Sequence, residues 1–416
     1  MIRKRRDNLI EFLQENSIAL FYSGLGKQRT GDQNYPFSVN RNFFYLTNID
    51  QENVVLLVAK GSNNNSNSYL FIEKRSELRM LWDGPTLTFR QAADLSEIPL
   101  ENIKEVESLD QFVNQLLSVS RAALFGKINN LYLDLTRENI NAFDTLEQLE
   151  AKRFKNVFPG VNILGSQHFL AHLRMRKDEL EVNETKEAIK ITNTALNHVM
   201  KTLRPNMKEY EIEAEYNYIL NKHNTVPSFA TIAASGSNAC VLHYVANNDN
   251  INDNELILFD LGVQYNNYCS DISRTYPANG KFTERQKEVY EIVLNVNKKT
   301  IEWLKPGKTI KEFNEYGKML LTEGAKKLGL IKDDHEISKY YYHSLGHYLG
   351  LDVHDVGLYD QKIPVGAIIT VEPGLYIAEE AIGIRIEDDI LITEDGNINL
   401  SKEIIKEVVD IESFMK

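Results

Sequence analysis

At 416 residues the chain exceeds what one hydrophobic core ordinarily organises, so two domains are expected. A hydrophobic content of 43% and a charged content of 25% are those of a soluble globular protein. The formal charge of −12 argues against a nucleic-acid partner, because phosphate binding needs a basic face. No apolar run is long enough to span a bilayer. Two cysteines, Cys240 and Cys269, are too few for a disulfide framework, which fits a reducing compartment and makes the cytoplasm the expected location.

The opening MIRKRRDNLIEFLQEN is basic but has no apolar signal-peptide core, and Asp7 and Glu11 sit badly in an organelle transit sequence. An amphipathic surface helix over 3–15 is expected instead. Strands are predicted at 18–22, 53–58, 68–72, 122–125 and 131–133, and helices at 111–118 and 137–154, which together make an α/β domain. GSNNNSNS at 61–68 reads as a flexible hairpin loop. Pro159, Gly160 and Gly165 interrupt the pattern and mark a boundary, giving an N-terminal domain over 1–165 and a second domain over 166–416.

The second domain opens on a long helix pattern over 178–203, apolar at Ala188, Thr192, Ala195, Leu196, Val199 and Leu203. Arg204-Pro205 ends it, since proline lacks the helix donor and restricts the residue before it. A helix over 209–222 follows. About a hundred residues later the arrangement returns. Thr283 with Gln286 forms a capping-box start, the helix runs to Leu304, Lys305-Pro306 stops it, and another begins near Ile310. The matching hinges suggest two related halves, and clefts between such halves commonly hold a site.

LFDLGVQYNNYCSDISRTYP reads as a hairpin turning near residues 265–267. Asp260 and Asp271 stand eleven apart, an odd separation that, with a two-residue turn, aims both carboxylates at one face of the sheet. Like charges on a shared face repel, so a cation is expected between them. In HSLGHYLGLDVHDVG, three of the chain's nine histidines, His343, His347 and His354, fall within twelve residues and are interleaved with glycines. That pattern suits ligands or proton carriers. Glu372 ends a strand just before Pro373-Gly374. In GIRIEDDILIT, Arg385 and Glu387 alternate with Ile384 and Ile386 and so share a face, while Asp388 and Asp389 read as surface.

Four carboxylates, Asp260, Asp271, Glu372 and Glu387, match the charge of two divalent cations, and one neutral imidazole adds a ligand without charge. An oxygen-rich set with one nitrogen favours manganese, with zinc, cobalt or iron as other occupants. Two metals held this way can bridge a water, lower its pKa and clamp the carbonyl it attacks.

Taken together these segments resemble the pita-bread metallopeptidases, and among them the aminopeptidase P (Xaa-Pro aminopeptidase) family, related to prolidase and methionine aminopeptidase. The likeness runs through most of 175–400. SGSNACVLHYVANN at 235–248, YPFSVNRNFFYLTNI at 35–49 and LWDGP at 81–85 extend it over the whole chain. It implies an α/β N-terminal domain and an α+β pita-bread catalytic domain with pseudo-twofold related halves. It also implies metal ligation by Asp260, Asp271, His347, Glu372 and Glu387, with His243, His343 and His354 beside the substrate, Arg385 beside the metal cluster and Glu372 handling protons. The activity implied is release of the first residue from peptides with proline second, by a hydroxide bridging two metals. The rival readings are a prolidase on the same site and a non-catalytic peptide-binding module. A homodimer or homotetramer is expected on the resemblance, and Trp82 is considered as an apolar wall for the proline ring.

Overall fold

Continuous apolar runs build the first sheet. Ser17–Tyr22 is buried at every residue, as is most of Val55–Lys60, which is what strands covered on both faces require. The computed structural model describes residues 1–63, 65–118 and 124–416, and the chain divides into two units, Met1–Leu173 and Arg174–Lys416.

In the first unit six strands stand in the order Ile103–Glu105, Ser66–Ile72, Val55–Lys60, Ser17–Tyr22, Asn130–Leu133 and Asn162–Gly165. Three of the neighbouring pairs are parallel and two antiparallel. One face packs Ile18, Leu20, Leu57, Phe71, Leu131 and Leu133 against Leu109, Val113 and Phe154 of the helices Leu109–Leu117 and Leu146–Val157.

Three expectations shift here. The helix predicted over 137–154 starts only at Leu146, where the Thr145 and Gln148 side chains close a capping box. The supposed loop at 61–68 gives its last residues to the strand Ser66–Ile72. The boundary stretch near 158–165 carries the edge strand Asn162–Gly165, and the division into units falls after Leu173. Half of the strand expected at 122–125 lies outside the described residues, and Leu124 and Phe125 form a turn. Trp82 stands 83% exposed on the short helix Glu77–Asp83, which buries none of its side chains.

The second unit is built on two helix pairs. Glu179–Thr202 and Glu209–Lys222 form one, and Glu284–Trp303 and Ile310–Lys327 the other. Capping boxes at Asp178, Thr283 and Thr309 start three of the helices, each cap worth about 1 kcal/mol. The two connections echo each other. Pro205 is followed by Asn206 at φ 69° and Pro306 by Gly307 at φ 84°, the left-handed second position of a tight turn. The isolated bridges Lys208↔Asn250 and Thr309↔Lys362 repeat the parallel.

The helices cover small sheets. One contains Ile232–Ser235, Leu256–Leu261 and Ile272–Pro277; another contains Ile368–Val371, Asp388–Thr393 and Gly396–Asn399. Ala188, Ala195, Leu196 and Val199 from the first long helix join Ile257, Phe259 and Ile272 in one apolar core. The strand ends that emerge from this core carry the candidate site.

Candidate active site

The 256–277 hairpin keeps one register throughout, from Leu256↔Pro277 past Asp260↔Ser273 to Tyr265↔Tyr268. Asn266 and Asn267, at φ 45° and 68°, make its two-residue turn, since asparagine tolerates the left-handed region. Asp271 lies two residues before Ser273 and therefore shares the face of Asp260. The ladder is broken between them, at Gly262 on one side and Ser270-Asp271 on the other. There the chains approach so closely that a Cβ on Gly262 would lie 1.9 Å from the Ser270 carbonyl oxygen. Tyr216 Oη and the Ser228 amide both donate to the Gly262 carbonyl, at 2.9 Å each, and hold the bend.

His347 is tied at both ends of its backbone to Thr370, accepting from the Thr370 amide and donating to the Thr370 hydroxyl, 3.0 Å each. Its Nδ1 lies 3.1 Å from the Tyr348 carbonyl, a contact that fixes the tautomer and turns the other nitrogen outward. That Nε2 lies 3.3 Å from Asp271 and 3.5 Å from Glu372. Glu387 accepts from the Ser273 hydroxyl at 2.7 Å. Donor atoms of Asp271, His347 and Glu387 all fall within 4.8 Å of one another, the spacing of groups that share an ion.

Arg385 is buried behind them. It donates to Asp260 at 2.6 Å, to the Ser273 hydroxyl at 2.7 Å and to Tyr376 Oη at 2.9 Å. Tyr376 Oη lies 2.8 Å from His343 Nε2, and His343 Nδ1 is 2.7 Å from the Ser344 carbonyl. Tyr376 did not stand out in the sequence; its only signal there is a hydroxyl among the apolar residues of GLYI. The His354 ring centroid is 4.2 Å from that of His347. His243 is exposed, on the segment after the turn Gly236–Cys240, and its charge works against protonation of both His343 and His354.

Electrostatics argue for cations at this place. Burial pushes Asp260 up to about 6, with Arg385 pulling the other way and Asp271 adding repulsion. Burial lifts Glu372 to about 7 against the pull of His347 and Arg385. Glu387 rises well above the carboxylate range, through burial and then Asp271 and Glu372. Burial opposes charge on His347, yet the Asp271 and Glu372 carboxylates win and raise it to about 9. One Asp260 oxygen is buried with no partner. Carboxylates crowded in a buried site, where ionising them is costly and one oxygen is unsatisfied, are a donor set that divalent ions would complete. His343 is the opposite case, depressed to about 3 by burial and then by Arg385, and so held neutral.

The structure also corrects one reading. Asp388 and Asp389 are both fully buried rather than at the surface. Asp388 pairs with Arg274 and Lys406, while Asp389 accepts from the Asp271 amide at 3.2 Å.

Residues 183–394 match the model described as metallopeptidase family M24, and residues 2–125 the aminopeptidase P N-terminal domain. The Xaa-Pro aminopeptidase of Haemophilus influenzae is 37% identical, over 99% of this chain and 96% of its own length. A Bacillus anthracis structure provisionally assigned as an aminopeptidase P has a TM-score of 0.96 at 41% identity, covering 100% of this chain and 97% of that one. Aminopeptidase P from E. coli, solved with the inhibitor Pro-Leu, has a TM-score of 0.88 at 33% identity with the same coverage.

Proposed function

The chain belongs to metallopeptidase family M24, with an aminopeptidase P N-terminal domain ahead of the peptidase domain, and from that membership we propose that it removes the first residue from peptides whose second residue is proline. The observation that carries the reading is the full-length likeness to a Xaa-Pro aminopeptidase together with the buried cluster of acids around His347. The N-terminal match favours this activity over a prolidase.

In this reading Asp260, Asp271, His347, Glu372 and Glu387 hold two divalent ions, and the oxygen-rich donor set favours manganese. Bound there, the ions would acidify a shared water and polarise the scissile carbonyl. The protein's own groups do the rest. Glu372 accepts the proton released at attack and returns it to the departing proline nitrogen. His243 or His354 donates a hydrogen bond to the developing oxyanion. His343, kept neutral by burial and by Arg385, has its ring fixed by Tyr376 and so can hold substrate in one orientation. Arg385 holds Asp260 in place.

Proline makes such an enzyme necessary. Its amide nitrogen carries no hydrogen and its ring fixes the backbone angle, so a site that grips the N–H fails and one shaped to the ring succeeds. Among the described residues no helix is long and apolar enough to cross a membrane. Both cysteines are free, which fits the cytoplasm we propose as the location. A homo-oligomer is proposed on family likeness, and a native mass measurement checks it.

The test is to incubate manganese-loaded protein with an Xaa-Pro-Xaa tripeptide and, separately, with the Xaa-Pro dipeptide. Metal-free and Glu372→Ala controls run alongside. Release of the first residue from the tripeptide alone is expected. Cleavage of the dipeptide alone would make the protein a prolidase, and cleavage of neither by metal-bound protein would leave a binding module.

A further inference from the structure

Behind the acids lies a layer of buried polar groups to which hydrolysis itself gives no role. Asn297, on the helix Glu284–Trp303, is fully buried. Its Nδ2 donates to the carbonyls of Val371 and Ile386, 3.2 Å each. These carbonyls belong to the peptide bonds that lead into Glu372 and Glu387. They sit where the strands Ile368–Val371 and Asp388–Thr393, paired through Val371↔Asp388, begin to part. One amide side chain therefore ties together the two backbones from which Glu372 and Glu387 project.

The tie is itself anchored. Asn297 Oδ1 accepts from Lys406 Nζ at 2.8 Å, and the same nitrogen reaches Asp388 Oδ2 at 2.6 Å. Asp388 Oδ1 accepts from Arg274 at 2.8 Å. Arg274 also donates to the carbonyls of Glu387, Ser273, Ile404 and Ile405, so all five of its N–H groups are used. Two of those carbonyls flank the site directly, since Ser273 opposes Asp260 across the ladder and bonds Glu387. Buried ion pairs are often no more stable than apolar residues of the same volume, so stability alone does not account for this array. Precise positions for groups that hold an ion do account for it.

We propose that Asn297, Lys406, Asp388 and Arg274 form a positioning clamp that fixes the separation of Glu372 and Glu387 and thereby sets how tightly the site holds divalent ions. The proposal rests on the metal-dependent reading given above. Asn297 is a positioning residue: it acts through the backbone of the ligands.

The experiment titrates manganese into metal-stripped, full-length wild type and Asn297→Leu by calorimetry, well below either unfolding temperature. Electron paramagnetic resonance of the loaded proteins follows. Affinity is expected to fall about tenfold or more, the range found when partners of metal ligands are removed. The spin-coupled signal of a manganese pair is expected to give way to that of separate ions. Lys406→Arg, which keeps the charge and the donor, should stay close to wild type. Unchanged affinity and signal in Asn297→Leu would overturn the clamp, even with a lower melting temperature, because the network would then be structural only. Should Asn297→Leu fail to fold, Lys406→Met is titrated by the same criteria. A wild type that binds no manganese pair would overturn the metal reading itself, an outcome distinct from failure of the clamp.

Discussion

His354, an exposed residue, stands beside His347 at 4.2 Å between ring centroids and is made less basic first by partial desolvation and then by its neighbour. An imidazole that is neutral near pH 7 can donate one N–H to an oxyanion without a charge to desolvate. Removing a donor that acts mainly on the developing charge lowers kcat rather than raising KM. His354→Ala should therefore lower kcat about a hundredfold or more on a proline tripeptide, with KM little changed. A rise in KM alone, measured at saturating metal, would assign the residue to ground-state binding instead. The acids and histidines were legible in the sequence because such residues are out of place on strands and in glycine-rich segments. Tyr376 and Asn297 were not. A tyrosine in GLYI and an asparagine in a long helix are ordinary there, and their importance lies in bonds to partners 33 and 74 to 89 residues away. Asp388 misled for the same reason, since its compensation comes from Arg274 and Lys406.

The hairpin is the element on which the site depends most. Its register follows from the two-asparagine turn, and the odd separation of Asp260 and Asp271 was enough to read that both face one way. The break between them could not be read, because it arises from contacts that Gly262 makes with Ser270, Ser228 and Tyr216. Gly262→Ala would drive a methyl group to within 1.9 Å of a backbone oxygen and 2.3 Å of the Ser228 hydroxyl. Backbone on one side cannot rotate away, so the two strands must separate. The expected cost is about 1–3 kcal/mol in urea unfolding of the metal-free protein. Metal affinity should weaken with it, because Asp260 and Asp271 lie on either side of the bend. A variant with wild-type affinity and stability would show that the close approach does not hold the site. Helices were legible in proportion to length. The four long ones carry apolar stripes and three of them side-chain caps, whereas Arg41–Thr47, with Phe43, Phe44 and Tyr45 buried in seven residues, has neither a long period nor a helix-favouring composition.

For the whole molecule, the raised proton affinities couple folding to pH and to metal. Asp260 at about 6, Glu372 at about 7 and Glu387, raised well above the usual carboxylate range, bind protons in the folded, metal-free protein that an unfolded chain has already released. The folded state then holds more protons, so stability must fall as pH rises through those values. His347 acts in the same direction, since its favourable contribution is complete below its ordinary 6.5 and is lost as pH passes about 9. Asp388, held well below the usual range by Arg274 and Lys406 against the cost of burial, acts the other way. Its contribution is lost only in acid, below the window in question. His343 and His354, whose lowered values favour higher pH up to their ordinary 6.5, are outweighed by the raised carboxylates, so metal-free protein should melt at progressively lower temperature from about pH 5 to about pH 9. Divalent ions replace the missing protons, bind the folded state alone and bind more tightly as the ligands lose their protons. The gap in melting temperature between manganese-loaded and metal-free protein should widen steadily across that range. Calorimetry of both forms decides the matter. A metal-free midpoint that is flat or rising with pH would mean that these carboxylates do not crowd one another in the folded chain, and the charge argument for a two-ion site would lose its footing.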